Sequence, residues 1–218
     1  MKTMQQFVET IKIEDGKALN LNFHQARMER TMRHFFAHTP VPMLSGVLSP
    51  TPDMHFYKAR VVYGVRGVED VQYAPYKMRE IRSLKLVEDN EIDYSFKSTD
   101  RACLNSLTAR KGDCDEVLIV KNGLLTDTSF TNVAVFDGER WLTPKHPLLL
   151  GTKRASLLER QVIKEADISV ETLMKAQKVS LINAMIDLGE IEISIANIIC
   201  IDRRRCPYRP TQMVNRGL

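Results

Sequence analysis

The sequence lacks any apolar segment long enough to cross a bilayer, and its opening stretch, MKTMQQFVETIKIEDGK, contains no apolar run of signal-peptide length. Its four cysteines, Cys103, Cys114, Cys200 and Cys206, have no short paired spacing. That scatter argues against a zinc site or a dense disulfide framework. Because reduced thiols are the default in a cytosol, we expect a cytoplasmic protein with no membrane-spanning part.

The composition is that of a folded, soluble protein. Hydrophobic residues make up 44% of the 218 residues and charged residues 27%, values that a disordered chain does not have. The net charge of +4 arises largely near the C-terminus, at Arg203, Arg204, Arg205 and Arg209. This tail could touch nucleic acid, but no nucleic-acid-binding motif accompanies its charges. A solvated terminus is the favoured interpretation.

Three dipeptides predict β-hairpins: Asp15-Gly16, Asn122-Gly123 and Asp137-Gly138. Type I′ turns require positive φ at both central residues, which Asp, Asn and Gly tolerate. A fourth hairpin is predicted from strands over 56–63 and 68–73, which Gly64 and Gly67 separate. The middle of the chain therefore reads as largely antiparallel sheet.

Helical spacing of apolar residues predicts a helix from an Asn22 cap to about Ala37, and a short helix over 171–175. Another helix should follow Lys97, with Ser98 or Thr99 as its cap. Its inward positions would be Ala102, Leu104 and Leu107. A further helix should open after Gly151 and carry Leu157, Leu158, Val162 and Ile163.

The segment over 44–53 has prolines in or beside it and reads as a loop. Strands and helices mixed in this way predict an α+β fold. A break between Tyr94 and Asp113 divides the chain into an N-terminal unit over 1–94 and a C-terminal unit over 95–218.

Some residues could carry chemistry. Lys97 lies at a predicted junction of strand and helix beside Tyr94 and Phe96, where partial desolvation would lower its pKa and suit it to Schiff-base formation. Taken alone, a solubilising surface lysine is the commoner case. The polar segment over 126–132 either caps a loop or forms the wall of a pocket.

The start of the helix after Gly151 is a candidate anion site, because its backbone N–H groups are free and Thr152 adds a hydroxyl. Ordinary N-capping by Thr152 is the alternative. Arg27, one helical turn beyond His24, could be a second anion contact, although an exposed helix arginine is more frequent.

Taken in chain order, these segments resemble the class IV aminotransferase superfamily of pyridoxal phosphate (PLP) enzymes. Residues 24–28, His-Gln-Ala-Arg-Met, are similar to that family's His-x-x-Arg-Leu segment, which implies that Arg27 binds the cofactor phosphate. Residues 97–101, Lys-Ser-Thr-Asp-Arg, resemble its Lys-x-x-Asn-Arg motif, with Asp100 in place of asparagine. The resemblance makes Lys97 the Schiff-base lysine.

Two further segments supply the other cofactor contacts that the resemblance implies. Residues 126–132 resemble a Thr-Glu-x-x-x-x-Asn motif whose acid pairs with the pyridine nitrogen, here Asp127 in place of glutamate. Residues 150–154 are similar to a Pro-Gly-x-x-Arg segment that binds the phosphate. The cofactor-binding residues implied in this way, besides the catalytic Lys97, are Arg27, Asp127, Ser129, Gly151, Thr152, Lys153, Asn183 and Ala184.

The resemblance implies a two-domain α+β fold with PLP in the cleft between the domains, a small-molecule amino substrate and a homodimer. Residues 180–185, Ser-Leu-Ile-Asn-Ala-Met, look more like the Cys-Asn-Ala-Leu of 4-amino-4-deoxychorismate lyase than the Ser-Gly-Thr of branched-chain aminotransferases. We therefore expect pyruvate elimination to give 4-aminobenzoate for folate. A branched-chain or D-amino-acid aminotransferase and an inactive PLP-fold binding protein are the alternatives.

Family members usually carry a stretch of about two strands before the segment that residues 7–10 resemble, and this sequence lacks it. In those proteins part of the substrate pocket comes from that stretch. Arg60 and Tyr63 are the candidate substrate contacts.

Overall fold

The computed structural model describes residues 5–200, and the C-terminal arginines and Cys206 lie outside that range. Short helices and many strands alternate along the chain, which confirms the predicted α+β class. The elements are β1 Phe7–Glu14, β2 Lys17–Ala18, α1 Leu21–Phe35, α2 Leu44–Val47, β3 Phe56–Gly64, β4 Gly67–Pro75, β5 Leu84–Glu88, α3 Ala102–Thr108, β6 Glu116–Lys121, β7 Leu124–Thr128, β8 Asn132–Phe136, β9 Trp141–Pro144, α4 Thr152–Glu159, β10 Ile163–Ala166, α5 Val170–Met174, β11 Lys178–Ile182, β12 Glu192–Ser194 and β13 Ile198–Ile199.

The first sheet has the strand order β2-β1-β3-β4 and is antiparallel throughout. Alternate residues of β1 and β3 face α1, and their apolar side chains form one core with Met28 and Met32 of that helix. The opposite face of the two strands carries Thr10 and Lys58, which line a cavity. The period of two along each strand therefore separates a packing face from a cavity face.

Two more sheets follow, with the orders β10-β9-β8-β11-β12 and β13-β5-β6-β7. A shared apolar core that includes Leu118, Val133 and Leu181 lies between them. The pairs β6–β7, β8–β9 and β8–β11 are antiparallel, in line with the expectation of a largely antiparallel middle. The pairs β5–β6, β13–β5 and β9–β10 are parallel. Strand β5 precedes residue 94 yet pairs with β6, and the division at residue 94 stays a prediction.

The predicted turns are present, but one differs in type. Asp15 and Gly16 have φ of 47° and 72°, and Asn122 and Gly123 have 51° and 77°, as type I′ turns require. At the third site the loop spans 137–140 and only Gly138 has a positive φ. The reason is that the Asp137 carboxylate accepts hydrogen bonds from two N–H groups within the loop, which favours a longer turn.

The helix starts differ from those predicted. Helix α1 begins at Leu21, because Asn20 adopts the left-handed conformation and ends the preceding turn. The predicted Ser98 or Thr99 cap of α3 is wrong, since the Asp100 carboxylate accepts from the N–H of Ala102 at 2.9 Å. Ala102 is also exposed, not inward.

The remaining helix predictions are met in part. Leu104 and Leu107 are buried as expected, and α5 covers nearly the predicted residues. Helix α4 ends before Val162, because Ile163 starts strand β10. The loop predicted over 44–53 contains the single-turn helix α2. Over residues 5–200, no helix combines the length and apolarity that a membrane crossing needs.

Candidate active site

A cavity of 280 Å³ opens between the first sheet and the two C-terminal sheets. Small-molecule pockets have volumes of about 300–1,000 Å³, so it is close to the size that holds a compact ligand. The predicted site residues that line it are Arg27, Lys97, Asp127, Ser129, Gly151, Thr152, Asn183 and Ala184. Segments far apart in the sequence thus converge on one space.

Lys97 lies in an irregular segment that runs along the start of β1, not at the end of a strand. Its carbonyl oxygen accepts from the N–H of Val8 at 3.0 Å, and the N–H of Thr99 donates to Gln6 at 3.0 Å. These bonds fix the backbone, while Nζ has no hydrogen bond to any residue within 5–200. Burial and the charges of Arg27 and Arg101 lower the pKa of Lys97 to about 8. A substantial fraction of this amine is therefore neutral and nucleophilic near physiological pH.

Asp127, on β7, is a buried carboxyl that lines the same cavity. One oxygen accepts from Asn132 Nδ2 at 2.8 Å and the other from the N–H of Leu149 at 2.9 Å. Burial raises the pKa of Asp127 to about 7, although both donors work in the opposite direction. The group is thus poised to ionise fully when a cationic partner enters the cavity.

Asn132 and Gly151 are in close contact beside Asp127. A Cβ atom at position 151 would lie 1.9 Å from Asn132 Oδ1, which no real contact permits. Asn132 Nδ2 also donates to the carbonyl of Leu149 at 2.8 Å, so this side chain is held on two sides. Glycine at this position lets the backbone at the start of α4 approach the cavity closely.

Helix α4 opens towards the cavity with its first N–H groups free of helical partners. Gly151 is the N-cap, and the first helical bond runs from Ala155 to its carbonyl. The N-capping alternative for Thr152 is therefore wrong. Its hydroxyl lies 3.2 Å from His24 Nε2. Free N–H groups at a helix start, with the positive end of the helix dipole, form an anion site.

Arg27 belongs to a buried network that connects α1, β1 and α4. Its Nε donates to Glu9 Oε1 at 2.9 Å and its Nη2 to Glu9 Oε2, and His24 Nδ1 lies 2.6 Å from the same carboxylate. Burial would raise the pKa of Glu9, but Arg27 and His24 lower it to about 2. Burial lowers the pKa of His24, which assigns it the neutral form with Nδ1–H donating to Glu9.

Three predicted site residues do not line the cavity. Lys153 Nζ forms an ion pair with Asp187. Tyr63 packs against Phe7 in the core beneath α1. Arg60 lies on the cavity face of β3 but within 4.0 Å of Asp70. Their assignment as cofactor or substrate contacts is not supported by these positions, because each side chain is engaged elsewhere.

The side-chain polar atoms of Ser129 and Asn183 are bonded to other parts of the protein and not directed at a cofactor. Ser129 Oγ donates to Glu116, and Asn183 Oδ1 accepts from the N–H groups of Met185 and Ile186. Both residues shape the cavity wall, since their hydrogen bonds hold the loop after β7 and the turn after β11. Ala184 completes that turn.

Three cavity-lining residues, Lys58, Arg79 and Arg101, were not predicted as site residues from the sequence. The acidic partner of Arg27 was not predicted either. Glu9 had a readable signal, because it occupies an inward position of the alternation Phe7, Glu9, Ile11. A charged residue at a buried strand position requires a charged or hydrogen-bonding partner. Among residues 5–200 no group of three or more His, Cys, Asp or Glu side chains could hold a metal ion.

The donor set fits pyridoxal phosphate. An amine of lowered pKa matches its aldehyde, a carboxyl matches its ring nitrogen, and Arg27 with the start of α4 matches its phosphate. The absence of a side chain at Gly151 leaves room for Asn132, which holds the Asp127 carboxyl in place. Each part of the cofactor thus finds a complementary group on the cavity wall.

Comparison with known proteins points to the same family that the sequence resembles. The family model for amino-transferase class IV matches residues 66–200. An uncharacterized protein of Haemophilus influenzae is 37% identical over 186 residues, which span 84% of this chain and 98% of that protein. The crystal structure of a putative 4-amino-4-deoxychorismate lyase from Haemophilus somnus 129PT has a TM-score of 0.79 at 34% identity, covering 86% of this chain and 100% of that chain.

A more distant structure has the same fold. The PLP-bound form of a hypothetical aminotransferase from Mycobacterium tuberculosis has a TM-score of 0.67 at 21% identity, covering 94% of this chain and 84% of that chain.

Proposed function

Because this chain belongs to the class IV aminotransferase family, we propose that it binds PLP on Lys97 and acts as a 4-amino-4-deoxychorismate lyase. The observation that carries the proposal is the convergence of three groups on one cavity: Lys97 with its lowered pKa, the buried carboxyl of Asp127 and the open start of α4. Each group meets a different requirement of the same cofactor.

Arg27 and the N–H groups of α4 bind the phosphate, and Asp127 holds a proton on the ring nitrogen. When bound, PLP supplies an aldehyde that captures amines and a ring that accepts an electron pair from the substrate. Asn132 and the Leu149 N–H keep the Asp127 carboxyl aimed into the cavity. These residues therefore hold the cofactor with its aldehyde end towards Lys97.

Lys97 performs the proton transfers. Its Nζ has no competing partner among the described residues, so it can remove a proton from the substrate carbon that bears the amine and return one later. A pKa of about 8 leaves both the neutral and the charged form accessible near neutral pH. In the lyase reaction, loss of that proton accompanies expulsion of pyruvate, and the ring left behind is 4-aminobenzoate.

Two observations favour the lyase over amino-group transfer. The lyase-like segment at Asn183-Ala184 forms part of the cavity wall. The relative from Haemophilus somnus, described as a putative 4-amino-4-deoxychorismate lyase, is 34% identical and covers 86% of this chain. The cytoplasmic location and the homodimer expected from the sequence accompany the proposal as predictions.

A direct assay compares the two reactions. The PLP-loaded protein is incubated with aminodeoxychorismate, and separately with D- or L-amino acids plus a keto acid, while pyruvate, 4-aminobenzoate and exchanged amino acids are measured. We expect pyruvate and 4-aminobenzoate in equal amounts, and neither with Lys97→Ala. Amine exchange alone would replace the lyase by an aminotransferase, and no turnover in either assay would favour a binding protein.

A further inference from the structure

The cavity wall carries more positive charge than the cofactor phosphate uses. Besides Arg27 and Lys97, its lining includes Lys58, Arg79 and Arg101. Among the described lining residues, Asp127 is the only one with a carboxylate, and the proposed cofactor ring takes it up. Three cations therefore face the space in which a substrate would lie.

None of these three cations has an acidic partner among residues 5–200. Arg101 Nη2 donates to the carbonyl of Ser129 at 2.7 Å, and Arg79 lies over the Phe130 ring with Cζ 5.1 Å from the centroid. Lys58 makes no hydrogen bond or ion pair within that range. Arg27, in contrast, is neutralised by Glu9.

The two arginines are brought together by one loop. Ser129 and Phe130 are adjacent, so the guanidinium groups of Arg79 and Arg101 flank the same stretch of the cavity wall. Lys58 comes from a different element, strand β3. The phosphate contacts, in contrast, come from α1 and α4. Positive charge thus also comes from cavity-lining elements that the phosphate site does not use.

We propose that Arg79 and Arg101 hold one carboxylate of the substrate and Lys58 a second, so that the site selects amines with two carboxylates. The inference rests on the proposed function and adds the residues that determine its specificity. A monocarboxylate would leave at least one of these cations without a counter-charge, whereas a dicarboxylate can pair with both the two arginines and Lys58. Guanidinium groups suit this role because their N–H groups pair with carboxylate oxygens in two parallel bonds.

Ligand binding tests this without relying on turnover. Calorimetric titration of the PLP-loaded protein with benzene-1,3-dicarboxylate and with benzoate should give roughly tenfold tighter binding of the dicarboxylate, the value of one charged hydrogen bond. Arg79→Gln and Lys58→Gln should each lower that affinity about tenfold and reduce the preference over benzoate. Arg101→Lys keeps the positive charge, so it should lower the affinity for the dicarboxylate by less than tenfold.

Lys77→Gln is the matched control, because Lys77 is exposed, close to Arg79 in sequence and absent from the cavity wall. It should leave both affinities unchanged. PLP affinity, measured by absorbance titration, should be the same in all of these variants. Equal binding of the two ligands, or a loss of PLP affinity in the Arg79 or Lys58 variant, would overturn the inference. Failure of the wild-type protein to bind PLP would instead overturn the proposed function.

Discussion

His24 Nε2 on α1 lies 3.2 Å from the hydroxyl oxygen of Thr152 at the start of α4. Through its other ring nitrogen, His24 contacts the Glu9 carboxylate that also holds Arg27. One buried acid therefore orients the arginine and, through the imidazole, the helix start. The two halves of the proposed phosphate site are coupled, although they are more than a hundred residues apart in sequence.

Breaking this link should weaken cofactor binding without touching the cofactor directly. We expect His24→Ala to lower PLP affinity about tenfold, because a buried hydrogen bond to a charged group is lost. The melting temperature of the apoprotein should fall by several degrees, as ~2 kcal/mol does in a chain of this size. Absorbance titration and thermal melting measure the two effects.

Variants on the other side of the same bond separate positioning from packing. Thr152→Val removes the hydroxyl and should reproduce the loss of affinity, whereas Thr152→Ser should keep it. His38→Ala, at an exposed position, is the control for histidine removal. Equal PLP affinity in the His24 and His38 variants would contradict the coupling.

Gly151 should not tolerate a side chain. Gly151→Ala places a methyl group 1.9 Å from Asn132 Oδ1, and Asn132 must move away from Asp127 to admit it. We expect a loss of roughly 1–3 kcal/mol of stability from overpacking, together with weaker PLP binding. Urea unfolding measures the first and absorbance titration the second. Gly46→Ala, where a Cβ would meet no atom within 4 Å, should cost little. Similar losses of stability and PLP affinity at Gly151 and Gly46 would contradict the close contact between Gly151 and Asn132.

The apoprotein should lose stability as pH rises, through Asp127. Its pKa is raised from 3.8 to about 7 in the folded chain, so between these values the folded state holds a proton that the unfolded state has released. The contribution is complete below pH 3.8 and is lost by about pH 7. Relative to the wild type, Asp127→Asn should therefore become progressively more stable from about pH 4 to 7 and then level off. A difference in melting temperature that does not change with pH would exclude this protonation.

Lys97 should react with amine reagents at an unusually low pH. Burial and two neighbouring arginines lower its pKa to about 8, whereas an ordinary lysine has a pKa of about 10.4. Trace acetylation of the apoprotein with acetic anhydride, quantified peptide by peptide, should reach half its maximum near pH 8 at Lys97. Acetylation of Lys97 that keeps rising above about pH 10, like that of an ordinary lysine, would refute the lowered pKa.

Local rules were enough for much of the fold. The Asp15-Gly16 and Asn122-Gly123 turns follow from backbone φ preferences that these residues carry anywhere in a chain, and the structure has both. Parallel pairing of β5 with β6 could not be read in the same way, since no local signal states which distant strands become neighbours. Cap positions failed where side chains compete, as Asp100 does with Ser98 and Thr99 at α3.

The candidate site, too, could be predicted from local segments only in part. Lys97, Asp127 and Gly151 stand in recognisable segments, and the structure brings them to one cavity. Arg60 is predicted as a substrate contact from the sequence alone, which does not show which groups occupy each face of a strand. It meets Asp70, while Lys58, two residues earlier on the same face, lines the cavity. Lys153 faces Asp187 because its helix turns it away from the cavity. Such choices depend on tertiary partners that a single sequence does not specify.

Covalent trapping shows which residue carries the cofactor, and we expect that residue to be Lys97. The PLP-loaded protein is reduced with borohydride and digested, and the peptides that gain the mass of the reduced cofactor are identified. We expect one labelled peptide, containing Lys97, and no label in Lys97→Ala. Label on another lysine of the cavity, such as Lys58, or no covalent label at all, would contradict this expectation.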